Sequence, residues 1–269
     1  MDLQLAGKSA LVTGASAGIG EAIARSLAAE GVSVVVHGRN RFRVDAVVEA
    51  ITVSGGKAMS VTGDLQTPQD VEALADTVLG LGHVDILVNN AGGRTTEGAI
   101  DWSDIDVDQW AKTYQLNVVA PARLISRVLA GMKARGWGRI IQISSVGGVL
   151  TRSDSTEYGA SKAAANSMVV GLSKALAGTG ITANAVSPGS IMTPAFQGIL
   201  EHQATANGWT GSPAEIERQA VMARWPNDCQ RLGTPEEIAS AVTWLASPLN
   251  GFVTGANIRV DGGRTGVTT

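Results

Sequence analysis

Tyr158 and Lys162 stand four residues apart in the alanine-rich stretch TEYGASKAAA (156–165). On a helix, positions i and i+4 share a face and can touch. A free phenol has a pKa of about 10, too high for easy proton exchange at neutral pH. A cation beside it favours the phenolate and lowers that value, so the pair suits a group that donates and accepts a proton. A second stretch, TGASAGIG (13–20), carries Gly14, Gly18 and Gly20 in a Gly-x-x-x-Gly-x-Gly spacing. Glycines at a strand-to-helix turn let the backbone approach a pyrophosphate closely. The free N–H groups of the new helix then face the anion.

The elements that must position these groups are legible as alternating patterns. Short apolar runs at 9–14, 32–38, 57–64, 84–92, 138–145, 181–189 and 256–263 read as strands. Between them lie helical patterns: Ile19, Ile23 and Leu27; Val44, Val47, Val48 and Ile51; 67–79; one long helix over 108–134; the Tyr158 helix to about 177; and 235–246. Strands that are apolar throughout, separated by amphipathic helices, predict a parallel sheet covered on both faces. The expectation is one doubly wound α/β domain over 1–269, with a seven-stranded parallel sheet. Residues 190–230 carry Trp209, Trp225, three prolines and little periodicity. They read as a long substrate-covering loop.

Ligands of such sheets bind outside the carboxyl ends of the strands. The residues there are Asp64, Asn89–Gly92, Ser144, Ser145 and Pro188–Gly189, with Tyr158 and Lys162 on the helix after the fifth strand. At the end of the second strand Gly38 occupies the place where an NAD site wants a carboxylate, and Arg39 follows. An arginine there suits the 2′-phosphate of NADP; a solvated basic helix start formed by Arg39, Arg41 and Arg43 is the plainer alternative. A net charge of −3 gives a nucleic-acid partner no electrostatic support. No apolar run reaches the ~18 residues a membrane span needs. The single cysteine, Cys229, excludes an internal disulfide and fits a reducing, cytoplasmic setting. His37, His83 and His202 have no metal-ligand spacing, so no metal is expected. Glu157 is expected in solvent, because adjacent helix residues point apart. The acidic DWSDIDVDQW (101–110) reads as a helix start.

Taken in order, TGASAGIG, Asp64, NNAG (89–92), Asn117 in LNVV, Ser145, YGASK (158–162), PGSIMT (188–193) and the closing GFVTGANIRVDGG resemble the short-chain dehydrogenase/reductase family from end to end. The resemblance implies a Rossmann-like fold and reversible hydride transfer between a nicotinamide cofactor and a carbonyl/secondary alcohol pair, as in 3-oxoacyl thioester and ketone reductases. It implies Tyr158 as general acid/base, Lys162 lowering its pKa, Ser145 holding the substrate oxygen and Asn117 holding a relay water. Cofactor contacts would come from Gly14, Ser16, Gly18, Ile19, Gly20, Arg39, Asn40, Asp64 and Leu65 on the adenosine and phosphate side. Asn90, Ala91, Gly92, Tyr158, Lys162, Pro188, Gly189, Ile191 and Thr193 would complete the set. Asp64 would meet the adenine edge, and Ile191 and Thr193 the carboxamide. NADP is favoured over NAD, although Ala17 stands where many NADP-preferring relatives have a basic residue. The alternatives are an NAD-dependent sugar or steroid alcohol dehydrogenase and a non-catalytic nucleotide sensor. The partner expected is a small carbonyl or alcohol, and the assembly a homotetramer or homodimer paired through the 108–134 and Tyr158 helices. Substrate choice is expected to lie in 190–230, 93–100 and 146–155. Arg94 would either reach an acidic substrate or face solvent.

Overall fold

The computed structural model describes residues 2–94, 102–104, 106–150 and 152–266. Seven strands form one sheet: β1 (Ser9–Val12), β2 (Ser33–Gly38), β3 (Lys57–Thr62), β4 (Ile86–Asn89), β5 (Gly138–Ile143), β6 (Ile181–Pro188) and β7 (Asn257–Val260). Their order is β3-β2-β1-β4-β5-β6-β7, and every neighbouring pair is parallel. The order reverses between β1 and β4. The crevice outside their carboxyl ends is where such sheets take a ligand.

Side chains alternate across the pleat, and each face acquires its own core. Val12, Val34, Val36, Ile86 and Ile141 face α1 (Gly18–Ala29), α2 (Arg41–Val53) and α9 (Pro235–Ala246). Leu11, Val35, Leu87 and Ile140 face α3 (Pro68–Leu81) and α5 (Ala120–Arg135). The three-layer, doubly wound arrangement expected from the alternating pattern is therefore present.

Two stretches depart from the expected elements. The single helix expected over 108–134 is α4 (Val107–Tyr114), a π-helical turn (Gln115–Val119) and then α5. Pro121 follows the π turn inside a continuous helical run, where its missing N–H removes one bond from the ladder. The widened turn carries Asn117 wholly inward, and single π turns of this kind recur at functional sites. Residues 190–230 are not a loop but two helices, α7 (Pro194–Asn207) and α8 (Pro213–Arg224). Thr193 caps α7 by accepting from Phe196 N at 3.1 Å. Ser212 and Glu215 close a capping box on α8. Leu200, Ala220, Val221 and Leu232 form a small core of their own beneath them. Caps and a proline at each start outweigh the weak periodicity. The remaining long helix is α6 (Thr156–Ala175), which carries Tyr158.

The crevice is held open by one buried hydroxyl. Thr13 Oγ1 accepts from Asn90 N and Ala91 N, each at 3.0 Å. The Asn90 amide in turn donates to Thr13 O at 2.9 Å and Gly14 O at 3.0 Å. Replacing Thr13 with Val takes this acceptor from the Ala91 N–H, while Asn90 N keeps Val88 O at 3.1 Å; a buried N–H left unpaired costs about 1–3 kcal/mol. Thr13→Val is expected to lower stability by about 2 kcal/mol in denaturant unfolding and to weaken nicotinamide-cofactor affinity. A change below about 0.5 kcal/mol, the level of an ordinary surface substitution, would remove Thr13 from this role.

Candidate active site

The turn between β1 and α1 is shaped by exclusion of side chains. Gly14 and Gly18 hold φ of +63° and +59°, the left-handed region that favours glycine. A Cβ at Gly20 would collide with Gly14 O and the Asn90 amide. The N-cap of α1 is Ala17, which offers no capping side chain. The first amides of α1 thus open onto the crevice rather than onto a cap, as a pyrophosphate site requires. This cradle fits a dinucleotide.

Two cavities flank it. One, about 570 Å³, is lined by Gly14, Ser16, Arg39, Asp64, Leu65 and Ala91, together with His37, Arg94 and Lys112. The other, about 710 Å³, is lined by Gly18, Ile19, Gly20, Ser145, Tyr158 and Lys162, with Pro188, Gly189, Ile191 and Thr193 on its far side. Asn90 and Gly92 belong to both. The fold thus brings the expected cofactor residues together with one exception. Asn40 lies outside both cavities and caps α2, accepting from Arg43 N at 3.1 Å. Arg41 is spent on Asp45 at 2.9 Å, and Arg43 lines the larger cavity rather than forming a purely solvated helix start. A Cβ at Gly38 would stand 2.9 Å from Ser16 Cβ and Val44 Cγ2. A carboxylate side chain therefore has no room at that position as the backbone stands.

Ser145, Tyr158 and Lys162 face the same cavity because β5 and α6 are stitched at one point. Lys162 Nζ donates to Ile143 O at 2.9 Å. Ser144 Oγ donates to the carbonyl of Lys162 at 3.2 Å. Ser145 Oγ accepts from Gly147 N at 3.0 Å, which fixes its rotamer beside Tyr158. Burial pulls Lys162 down to about 8 and raises the Tyr158 phenol above its usual value. The groups that pull Tyr158 back down are the Ser145 hydroxyl and the charge of Arg94. Lys162, expected to act in the same direction, faces the Tyr158 ring. Its Nζ lies 5.6 Å from the Tyr158 ring centroid and is turned to the Ile143 carbonyl.

Asn117 is fully buried. Its Oδ1 accepts from Gly93 N at 3.0 Å, and its Nδ2 donates to Gly93 O at 3.0 Å and Ser161 Oγ at 2.9 Å. Both amide N–H groups are thus used within the protein. Only Oδ1 keeps a lone pair, and it points at Gly92, as does Lys162 Nζ.

Glu157 is buried, not in solvent as expected. The helix enters the protein at its first turn, and Arg94 reaches over it, Nε to Oε1 at 3.7 Å. Arg94 thus faces solvent, as one of the two expectations had it, while its guanidinium lies within ion-pair distance of Glu157. The carboxylate and guanidinium together leave Tyr158 beside a compensated pair instead of a bare negative charge. Of the stretches expected to choose the substrate, 95–100 and Thr151 lie outside the described residues. The acidic 101–110 contains Asp106, which caps α4 as a helix start should. Trp225 lines the larger cavity and packs on Phe196 with ring centroids 4.8 Å apart, whereas Trp209 packs against the small core under α7 and α8.

Sequence reasoning passed over His37, Arg43, Phe196, Arg152 and Arg264 as cavity residues. For His37 the only signal was its place at the end of β2. Phe196 sits one turn after a Thr-Pro start, where a capped helix was readable. For the arginines there was none, since each reaches the cavity only through the tertiary fold.

Comparison with known proteins agrees with this geometry. Residues 8–204 match the model of the family described as short chain dehydrogenase. The chain is 36% identical over 263 residues to a 7alpha-hydroxysteroid dehydrogenase of Escherichia coli (strain K12), covering 97% of this chain and 96% of the relative. A 7 alpha-hydroxysteroid dehydrogenase complexed with NADH and 7-oxo glycochenodeoxycholic acid is similar with a TM-score of 0.85 at 36% identity, covering 97% and 96% of the two chains. A 3-oxoacyl (acyl-carrier-protein) reductase from Agrobacterium tumefaciens C58 with NADP bound gives 0.86 at 31% identity, with the same coverage. The chain belongs to the short-chain dehydrogenase family. It is an oxidoreductase that uses a nicotinamide cofactor on alcohol and carbonyl groups. Among the described residues no helix is long and apolar enough to cross a membrane.

His37 ties the adenosine cavity together and titrates. Its Nδ1 faces Gly14 N at 3.5 Å and its Nε2 faces Gly63 O at 3.2 Å, a pairing that suits the neutral ring with the proton on Nε2. Burial above all pulls it down to about 4. The folded protein therefore resists protonation that the unfolded chain accepts near pH 6.5. Stability from this group is complete above pH 6.5 and is lost as pH falls toward 4, by on the order of 3 kcal/mol. Unfolding free energies across pH 7 to 4 are expected to fall less steeply in His37→Gln than in the wild type. Parallel curves would show that His37 does not carry the acid sensitivity.

Proposed function

We propose that this enzyme reduces ketones, 3-oxoacyl thioesters among them, with NADPH as the preferred cofactor, and that Tyr158 is its general acid/base. The observation that carries the reading is the convergence of Ser145, Tyr158 and Lys162 on one cavity continuous with the glycine cradle. Bound there, the cofactor supplies the hydride in reduction and accepts it in oxidation. The Tyr158 hydroxyl gives its proton to the substrate oxygen in reduction and takes it back in oxidation. Ser145 donates a hydrogen bond to that oxygen and steadies the charge that develops on it. Lys162 holds a positive charge under the reacting region. Asn117 acts as a clamp on the Gly93 backbone, and its Oδ1 offers one acceptor to a proton-relaying water. Asp64, Leu65 and the Asn90–Gly92 backbone flank the adenosine half, Ile191 and Thr193 the nicotinamide half, and α7 and α8 cover the substrate.

Three features support NADPH. Gly38 leaves no room for the carboxylate an NAD site uses. Arg39 is exposed and lines the adenosine cavity. Arg41, its neighbour, is already paired. A second reading, an NAD-dependent secondary-alcohol dehydrogenase, draws on the 36% identical hydroxysteroid enzyme with NADH bound. We infer a homotetramer or homodimer, with α5 and α6 meeting their copies, on the alanines of α6 that remain accessible. The lone, exposed Cys229 suits a reducing cytoplasm.

Tyr158→Phe is expected to cut NADPH turnover with a short 3-oxoacyl thioester by about 100- to 10,000-fold, the usual range for a general acid, with NADPH affinity nearly intact. Equal turnover in mutant and wild type would take Tyr158 out of the mechanism. Arg39→Ala is expected to weaken NADPH about 10- to 100-fold, as loss of a charge-assisted hydrogen bond does, and NADH far less. Equal losses for the two cofactors in a fluorescence titration would reject the 2′-phosphate contact.

A further inference from the structure

Arg264 stands out among the charged residues of the larger cavity. It lines the same space as Ser145 and Tyr158. Its Nη1 is shielded from solvent and, among the described residues, has no hydrogen-bond partner. A guanidinium stays charged under all ordinary conditions, and a buried donor without an acceptor is costly. Such a group is retained where an acceptor comes from outside.

The carboxylates that act on Arg264 and Arg152 are used elsewhere. Asp261 belongs to the same turn, but its Oδ1 accepts from Gly263 N at 3.1 Å and its Oδ2 from Thr265 N at 2.9 Å. Asp154 is held in a bidentate fork by Arg152, at 2.9 and 2.8 Å. Arg152 also lines the cavity, so Arg264 has a second cation for a neighbour. Burial first, and then the Arg152 charge, hold the Arg264 guanidinium below its ordinary value, with only Asp261 acting the other way. Three arginines line this cavity, Arg43, Arg152 and Arg264; Arg152 is neutralised by Asp154, which leaves Arg264 as the buried guanidinium beside Ser145 and Tyr158 with a donor unmet. The rest of that space is apolar at Leu150, Phe196 and Trp225.

Resting on the reductase reading above, the geometry points to a substrate that carries a carboxylate as well as its carbonyl, with the carboxylate received by Arg264. Arg152, clamped by Asp154, closes off the alternative in which Arg264 swings to Asp154. Arg94, the arginine the sequence offered for an acidic substrate, lines the smaller cavity rather than this one and lies beside Glu157. The placement of the anion separates two jobs within one cavity. Tyr158 and Ser145 act on the carbonyl oxygen, and Arg264 fixes the far end of the molecule. A planar guanidinium fork matches a carboxylate in both geometry and charge.

The test compares a series of oxo-carboxylates of four to eight carbons, each beside its methyl ester, in NADPH-dependent reduction by wild type, Arg264→Ala and Arg264→Lys. The wild type is expected to favour the acids over their esters by roughly tenfold or more in kcat/KM, as one charge-assisted hydrogen bond predicts. The preference is expected to collapse in Arg264→Ala and to survive in part in Arg264→Lys. Esters that match or exceed the acids, or an acid preference that persists in Arg264→Ala, would overturn the assignment. Calorimetric titration of the same acids into protein saturated with NADP reads the anion site without turnover. Binding that falls about tenfold in Arg264→Ala supports the site, and no binding of any acid by the wild type overturns it. Acid binding without turnover would sink the reductase reading while leaving the arginine site standing. A loss of NADPH affinity in Arg264→Ala as large as the loss for the acids would assign Arg264 to the cofactor phosphates and overturn the proposal.

Discussion

Everything at this site depends on how closely two backbones approach where the sheet order reverses. The turn after β1 and the turn after β4 meet with less space than side chains need. A Cβ at Gly14 would lie 2.8 Å from Ala91 Cα, and one at Gly20 would strike Gly14 O and Asn90. Thr13 and Asn90 then exchange hydrogen bonds across the gap. The approach brings the amides at the start of α1 next to the floor made by Asn90–Gly92. A parallel sheet supplies such a crevice by topology. The glycines make it narrow enough for backbone to meet a phosphate, and the missing cap at Ala17 leaves donors free to do so. Loosening either turn would separate the smaller cavity from the larger, because Asn90 and Gly92 are walls of both.

The second constraint is electrostatic. Lys162 and Glu157 are charged groups buried on one helix, and burial of a charge is expensive unless it is paired or hydrogen-bonded. Each has a different solution. Lys162 takes the Ile143 carbonyl at the end of β5 and titrates near 8, so it is poised to gain or lose a proton near physiological pH. Glu157 takes Arg94 from the loop after β4. That pairing puts a cation close enough to act on Tyr158, so the loop after β4 shapes the phenol's acidity as well as the cofactor floor. In this cavity burial outweighs its neighbours and keeps the phenol protonated. A protonated phenol is the form that can donate to a carbonyl oxygen.

Much of this was legible before any coordinates. Apolar strands alternating with amphipathic stripes specify a doubly wound parallel sheet, and the glycine spacing after β1 marks the cradle because both of its flanks are readable. The failures have physical causes. The long helix expected over 108–134 is present, and only the π turn inside it stays hidden, since such a turn adds one residue without changing composition. The 190–230 region reads as loop by periodicity although Thr193-Pro194 and Ser212-Pro213 are good helix starts. Its two helices bury few residues, so caps rather than an apolar stripe define them. Glu157 was misplaced because local helix geometry says where a side chain leaves the axis and not what the tertiary fold lays over it. Arg264 carries no local pattern whatever.

The least legible part is also the part free to vary in chemistry. Ser145, Tyr158 and Lys162 are fixed by β5 and α6, and the cradle by β1 and β4, all of them elements within the two main cores. The far wall is different. Phe196 and Trp225 hang from α7 and the end of α8, which rest on a separate small core. Arg264 lies in the turn beyond β7, and Arg152 in the turn before α6. None of these four is needed to hold the sheet together, so each can be exchanged at little cost to the fold. A rigid scaffold thus fixes the reaction, while side chains from peripheral elements set the shape and charge of the molecule that undergoes it. In this chain those side chains are two aromatic rings packed at a tilt and an arginine whose turn carboxylate, Asp261, is already occupied.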